Sequence, residues 1–69
     1  MRRDPYEVLG LDPEVNDAGL ERRYRALLAD NQPDKLIARG VPEEFVAIAV
    51  EKLAAIEEAY AAIAKKRGL

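Results

Sequence analysis

LERRYRALLADNQPDK, residues 20–35, contains both a helix and the signal that ends it. Leu20, Tyr24, Leu27 and Leu28 recur at i, i+4, i+7 and i+8, the spacing of one helix face, while Arg22, Arg23 and Arg25 point mostly elsewhere. Pro33 biases Gln32 toward an extended conformation, so the pattern stops near Asp30 or Asn31. Upstream, the link DPEVN (12–16) and the residue after it offer Asn16 or Asp17 as the cap.

Working outward, PYEVLGL (5–11) reads as a short first helix: Pro5 suits a first turn, Tyr6 and Leu9 lie three apart, and Gly10 ends it. On the other side, NQPDKLIARGV (31–41) reads as a linker, with NQPDK the least helical part of the chain. Pro42 then sits where a first helical turn accepts it. Phe45, Ile48 or Ala49, Leu53, Ile56, Tyr60 and Ile63 describe one apolar stripe down a third helix that ends before Gly68. The spacing therefore predicts an all-α chain with helices near 6–9, 17–30 and 42–66. Two long stripes imply an antiparallel pair, with the short helix covering the open end of their interface and the turn exposed at one end.

Sixty-nine residues allow one domain, expected over residues 4–67. The chain has no cysteine and no histidine, which removes the disulfide, the thiol nucleophile, the usual neutral-pH base and the commonest metal ligands. Asp12, Glu14 and Asp17 lack the ligand spacing of a helix-loop-helix calcium site, so no metal is expected. Glu43 and Glu44 suit the amino end of the last helix, Glu57 and Glu58 a solvated face. Nothing supplies a pocket or a pKa contrast for paired-carboxylate catalysis. The reading is of a protein that is not an enzyme and holds no cofactor. Eleven basic against thirteen acidic side chains give a net charge of −2, which pulls weakly on nucleic acid or anionic lipid. Apolar runs are too short for a membrane span, and the opening MRRD is not followed by a signal-peptide region, so a soluble, intracellular module is expected.

The linker is longer than most helix connections and invites a functional reading. The plain alternative is an ordinary turn at Pro33 and Asp34, a turn glycine at Gly40, and Leu36 and Ile37 covering the end of the helix pair. Arg22, Arg23 and Arg25, with Lys35 and Arg39 beyond the turn, likewise divide between a solvated face and a surface that steers an acidic partner. In the second case a linker aspartate accepts a charge-assisted bond from a partner arginine. A helix-turn-helix would need a much tighter turn, and Glu43 and Glu44 would repel phosphates, so no nucleic-acid partner is expected.

Taken together, DPYEVLGL, LERRYRALLADNQPDK and EKLAAIEEAYAAI resemble, in order, the J domain of DnaJ-type (Hsp40) co-chaperones. That pattern opens with Tyr-x-x-Leu-Gly, passes through an Ala-Tyr-Arg-like second helix to His-Pro-Asp-Lys, and ends in Ile-x-x-Ala-Tyr. The resemblance covers nearly all of residues 4–66. PDKLIARGVPEE looks more like the membrane-anchored, DjlA-type proteins of bacteria, in which the J domain is the carboxy-terminal cytosolic part of a longer chain. It implies a J-domain-like fold, with a short first helix packed on an antiparallel pair of longer ones. The implied partner is an Hsp70 (DnaK-like) chaperone in its ATP-bound state, met in the cytoplasm without direct membrane contact by this segment.

Position by position, Pro33 and Asp34 match the last two members of the signature tripeptide, and Lys35 the residue that often follows. Tyr24 and Arg25 match the helix-two segment that faces or borders the Hsp70 surface, with Arg22 beside it. Leu9, Leu20, Leu27, Phe45, Ile56, Tyr60 and Ile63 match mainly scaffold positions. Glu21 and Ala26 stand at sites commonly basic in the family, and Arg23 at one commonly alanine. Gln32 stands where the family has the histidine tied to stimulation of ATP hydrolysis. Glutamine donates and accepts hydrogen bonds, but it has no ring to stack and no positive form. The expected role is thus Hsp70 binding and regulation of its ATPase cycle, with stimulation impaired by Gln32. The alternatives are a degenerate J-like interaction domain that does not stimulate and, further off, a nucleic-acid-binding helical domain.

Overall fold

The computed structural model describes residues 4–69. Helix α1 spans Pro5–Leu9. The Asp4 carboxylate caps it by accepting from the Tyr6 amide at 2.9 Å, and Gly10 closes it in the left-handed region, φ 69°. Helix α2 spans Asp17–Asp30. Of the two expected caps the fold uses Asn16, whose Oδ1 accepts from the Gly19 amide at 2.8 Å. At the other end the Asn31 Nδ2 donates back to the Leu27 carbonyl at 2.8 Å, satisfying one of the carbonyls a helix end leaves open.

The segment read as a linker contains a helix of its own. Helix α3 spans Pro33–Ala38; the three expected helices are all present, and the exposed turn expected between the two long ones is corrected to a short fourth helix. Pro33 is the first residue of α3, where its missing N–H and fixed φ cost nothing. The same proline that ends α2 therefore begins α3. Helix α4 spans Glu43–Arg67. Pro42 is not within its first turn, as expected, but is the residue just before it (φ −58°, ψ 147°), its carbonyl accepting from Phe45 and Val46.

Helices α2 and α4 run antiparallel, since Asp17 at the start of α2 meets Arg67 at the end of α4 and, further along, Tyr24 stacks on Tyr60. Their ring centroids are 4.0 Å apart with 10° between planes. Helix α1 packs chiefly on α4 and also touches α2. Leu9, Leu20, Ile56, Ala59 and Ile63 form the buried core where the three meet. Leu27 and Tyr60 pack against this core while remaining half-buried.

The stripe read along α4 is core for only part of its length. Phe45 and Ile63 are eighteen positions apart, about five turns, and so point the same way. Ile63 is 1% exposed and Phe45 57%. The core sits at the carboxy-terminal end of α4, and its first turns run beyond α1 and α2 to meet α3. Ala49, not Ile48, is the buried member of the expected pair. Periodicity gave the direction of Phe45 correctly but not the extent of the neighbours it faces.

Arg67 fastens the opposite end. Its Nη1 donates to Asp17 Oδ1 at 2.8 Å, its Nε to the Tyr6 hydroxyl at 3.3 Å and its Nη2 to the Pro13 carbonyl at 3.4 Å. The guanidinium also lies 5.6 Å from the Tyr6 ring centroid. The bonds to Asp17 and then Tyr6 raise its pKa above the ordinary arginine value, so the charge is present throughout the working pH range. A group with a raised folded pKa stabilises at every pH below its unfolded value and loses that contribution only as pH climbs through the folded one, here in strong alkali.

Candidate functional site

Two groups of polar side chains stand clear of the core. Arg22 and Arg25, one turn apart on α2, are exposed and line a shallow depression with Ala18 and Glu21. Arg25 Nη2 lies 2.6 Å from Glu21 Oε1, with side chains 76% and 51% exposed. An exposed i,i+4 pair of this kind contributes only about 0.3–0.5 kcal/mol, so a partner carboxylate competes for Arg25 at little cost. Arg23 does something else: its Nε donates to the Leu9 carbonyl at 2.9 Å, satisfying the end of α1. The three arginines that are neighbours in sequence therefore divide, two facing solvent and one tying helices together. Tyr24 also faces inward in part, half-buried against Tyr60.

The second group begins at Gln32, whose backbone is extended (φ −74°, ψ 116°) and whose side chain is exposed and makes no capping bond to α3. Its carbonyl accepts from the Leu36 amide at 3.2 Å, so the backbone is held while the amide group is left to solvent. Pro33 is half-buried; Asp34 and Lys35 are exposed and have no ion-pair partner among the described residues. Leu36 is half-buried, and its carbonyl accepts from Val41 at 3.0 Å. Gln32, Pro33, Asp34 and Lys35 are thus presented at the start of a fixed short helix rather than on a slack loop. Arg25 and Asn31 are separated by about 9 Å along α2, a distance a single protein partner spans.

This surface is suited to recognition by charge and hydrogen bonding. Asp12 accepts from the Glu14 amide at 2.8 Å in a local turn, and Asp17 is held by Arg67. Among the described residues no cluster of three or more metal-ligating side chains occurs, and no helix is long and apolar enough to cross a membrane. Sequence reasoning missed Arg67, which lies fifty positions from Asp17 and sixty-one from Tyr6. Arginine in a last helical turn carries no signal of such distant partners.

Over 66 residues, 96% of this chain and 23% of the relative, the sequence is 41% identical to the co-chaperone protein DjlA of Vibrio cholerae. The chain is homologous to DjlA-type co-chaperones. The co-chaperone protein DjlA of Pasteurella multocida is 42% identical over 65 residues, 94% of this chain and 23% of the relative. That of Coxiella burnetii is 39% identical over 66 residues, 96% and 24%. The chain thus spans about a quarter of the length of the DjlA proteins it matches, and the likeness takes in both polar groups. No family model and no solved structure matches it. The short helix packed on two long antiparallel ones is J-domain-like, and α3 between them carries Pro33, Asp34 and Lys35.

Proposed function

We propose that this chain is the J domain of a co-chaperone that binds an Hsp70 (DnaK-like) partner in its ATP-bound state, and that Gln32 separates association from stimulation. The observation that carries the reading is the presentation of Gln32-Pro33-Asp34 at the head of α3, with its side chains free of intramolecular duty, in a chain homologous to co-chaperones over most of its length. Arg22 and Arg25 steer encounter, and Asp34 accepts a charge-assisted bond from a partner arginine. Lys35 extends the charged rim, Pro33 fixes the turn, and Tyr24 braces the arginine face through Tyr60. The domain itself performs no chemistry. It acts on a partner whose site does, from the cytoplasmic side and without touching the membrane, including where the domain is part of a longer anchored protein.

Stimulation requires the bound domain to favour the partner's hydrolysis-competent state over the resting one; equal affinity for the two shifts neither. The histidine of the family motif brings a ring that stacks and an imidazole that takes up a proton. Gln32 brings one flexible amide. The expected result is weak, salt-sensitive binding to ATP-bound Hsp70, little acceleration of single-turnover hydrolysis, and acceleration restored by Gln32→His. Adding Asp34→Asn to Gln32→His should remove the gain. Equal stimulation by the Gln32 sequence and Gln32→His would refute the separation, and absence of binding at low salt would refute the partner.

A further inference from the structure

The side of α4 turned toward α1 carries a pattern of which the core uses only Ala59 and the Gln32–Lys35 segment uses nothing. Phe45, Ile48, Lys52, Ala55, Ala59 and Ala62 follow one another at alternating steps of three and four. That is the seven-residue repeat of a helix seam that meets another helix. Helix α1 has five residues and covers only the last part of this seam. Beside it, Pro5 and Val8 of α1 and the alanines of α4 wall an open groove of about 570 Å³. Nearer the start of α4, Ile48 is 46% exposed and Phe45 more so.

A second row accompanies the first. Glu44, Glu51 and Glu58 are spaced seven apart along one edge of the seam, and Glu58 lines the groove itself. All three are exposed and have no ion-pair partner among the described residues. In a two-helix seam the flanking positions select the partner by charge. The other flank, Ala49 and Ile56, is buried, so the free edge is acidic from Glu44 to Glu58, beyond which Lys65 continues the row and Lys66 lines the end of the groove.

We propose that this face of α4 docks one amphipathic helix of a partner protein, lined with lysine or arginine along the edge that meets Glu44, Glu51 and Glu58. Ala55 and Ala62, both exposed, let the partner backbone approach closely at one end, and Phe45 and Ile48 supply apolar anchors at the other. Lys52 lays its aliphatic stem in the seam and carries its ammonium to the rim. A second copy of this chain is the wrong occupant, because it brings the same glutamate row and sets Glu51 and Glu58 against like charge. The docking face is distinct from the surface of Arg22, Arg25 and the head of α3.

The test uses the 69-residue chain, isotope-labelled, and two synthetic helical peptides with leucines at the seven-residue repeat. One has lysines along a single edge, the other glutamates there. Two-dimensional NMR titration should show the lysine peptide shifting the amides of Val8, Ile48, Ala55 and Ala62 and binding at least about tenfold tighter than its counterpart. Glu51→Lys combined with Glu58→Lys should reverse that order. If this double variant is unfolded by circular dichroism, Glu51→Gln with Glu58→Gln decides instead, by bringing the lysine peptide's affinity down toward that of the glutamate peptide. Equal affinities for the two peptides, shifts confined to α2 and α3, or a dimer in sedimentation that buries this face would each overturn the proposal.

Discussion

Replacing Ile63 and Phe45 by alanine, one at a time, tests where the core ends. Both residues point in the same direction from α4, but Ile63 is 1% exposed and Phe45 57%. Truncating a fully buried isoleucine removes transfer energy and leaves a cavity, at a cost of about 2–5 kcal/mol. A chain of this length has a total stability of roughly 3–10 kcal/mol, so Ile63→Ala takes a large share of it. Phe45 has less than half its surface withdrawn from water, part of that by its own helix. At about 25 cal/mol per Å² the transfer loss is below roughly 2 kcal/mol. Alanine's better helix propensity returns about 0.5 kcal/mol, leaving about 1.5 kcal/mol or less. In a domain of this size each kcal/mol moves Tm by about 4–8 °C. Thermal and urea unfolding followed by far-UV circular dichroism should therefore show a drop of roughly 8–40 °C for Ile63→Ala and less than about 12 °C for Phe45→Ala, with the Ile63 loss the larger. Equal losses for the two would refute the placement of the core at one end of α4.

Gly10→Ala should cost about 1 kcal/mol or more in urea unfolding, because φ is 69° and the new Cβ would stand 3.3 Å from the Arg23 guanidinium. Glu21→Gln releases Arg25 from its ion pair. It should strengthen Hsp70 association and steepen its dependence on salt, and an unchanged salt slope would remove Arg25 from the contact. Arg67→Met removes the bonds to Asp17, Tyr6 and Pro13. Amide hydrogen exchange at Val8 and Leu9 should then quicken, with Leu27 and Leu28 little changed; uniform quickening would mean that Arg67 supports the whole fold rather than the α1 end.

The sequence contains most of α1, α2 and α4 because their ends are chemically marked: Pro5 and Gly10 for the first, Asn16 and Pro33 for the second, Gly68 for the last. Helix α3 was not legible, since six residues are too few to display a period and Pro33 serves both as the stop of one helix and the start of the next. The overhang of Phe45 was hidden for another reason. A repeat along one helix gives the bearing of a side chain, whereas burial depends on how far the other helices extend. The resemblance carried by the order of motifs along the chain singles out Arg22, Arg25, Gln32, Asp34 and Lys35, and all five are exposed. Their chemical context was not found: the Glu21 pair on Arg25, the uncapped side chain of Gln32, and the diversion of Arg23 to Leu9 all depend on geometry.

Arg67 holds the far end of α4 to three points in the first seventeen residues, while the near end packs on α3, buries Ala49 and leaves Phe45 57% exposed. Mechanically this is a beam clamped at one support. Thermal displacement grows with distance from a clamp, so fluctuation along α4 is expected to increase toward Phe45 and toward α3, which packs on that half. A ligand laid along the first turns of α4 would stiffen the free span and damp the motion of the Gln32 segment without touching it. The two faces are then coupled through the bending of one rod, which the core at Ile56, Ala59 and Ile63 holds together with Arg67.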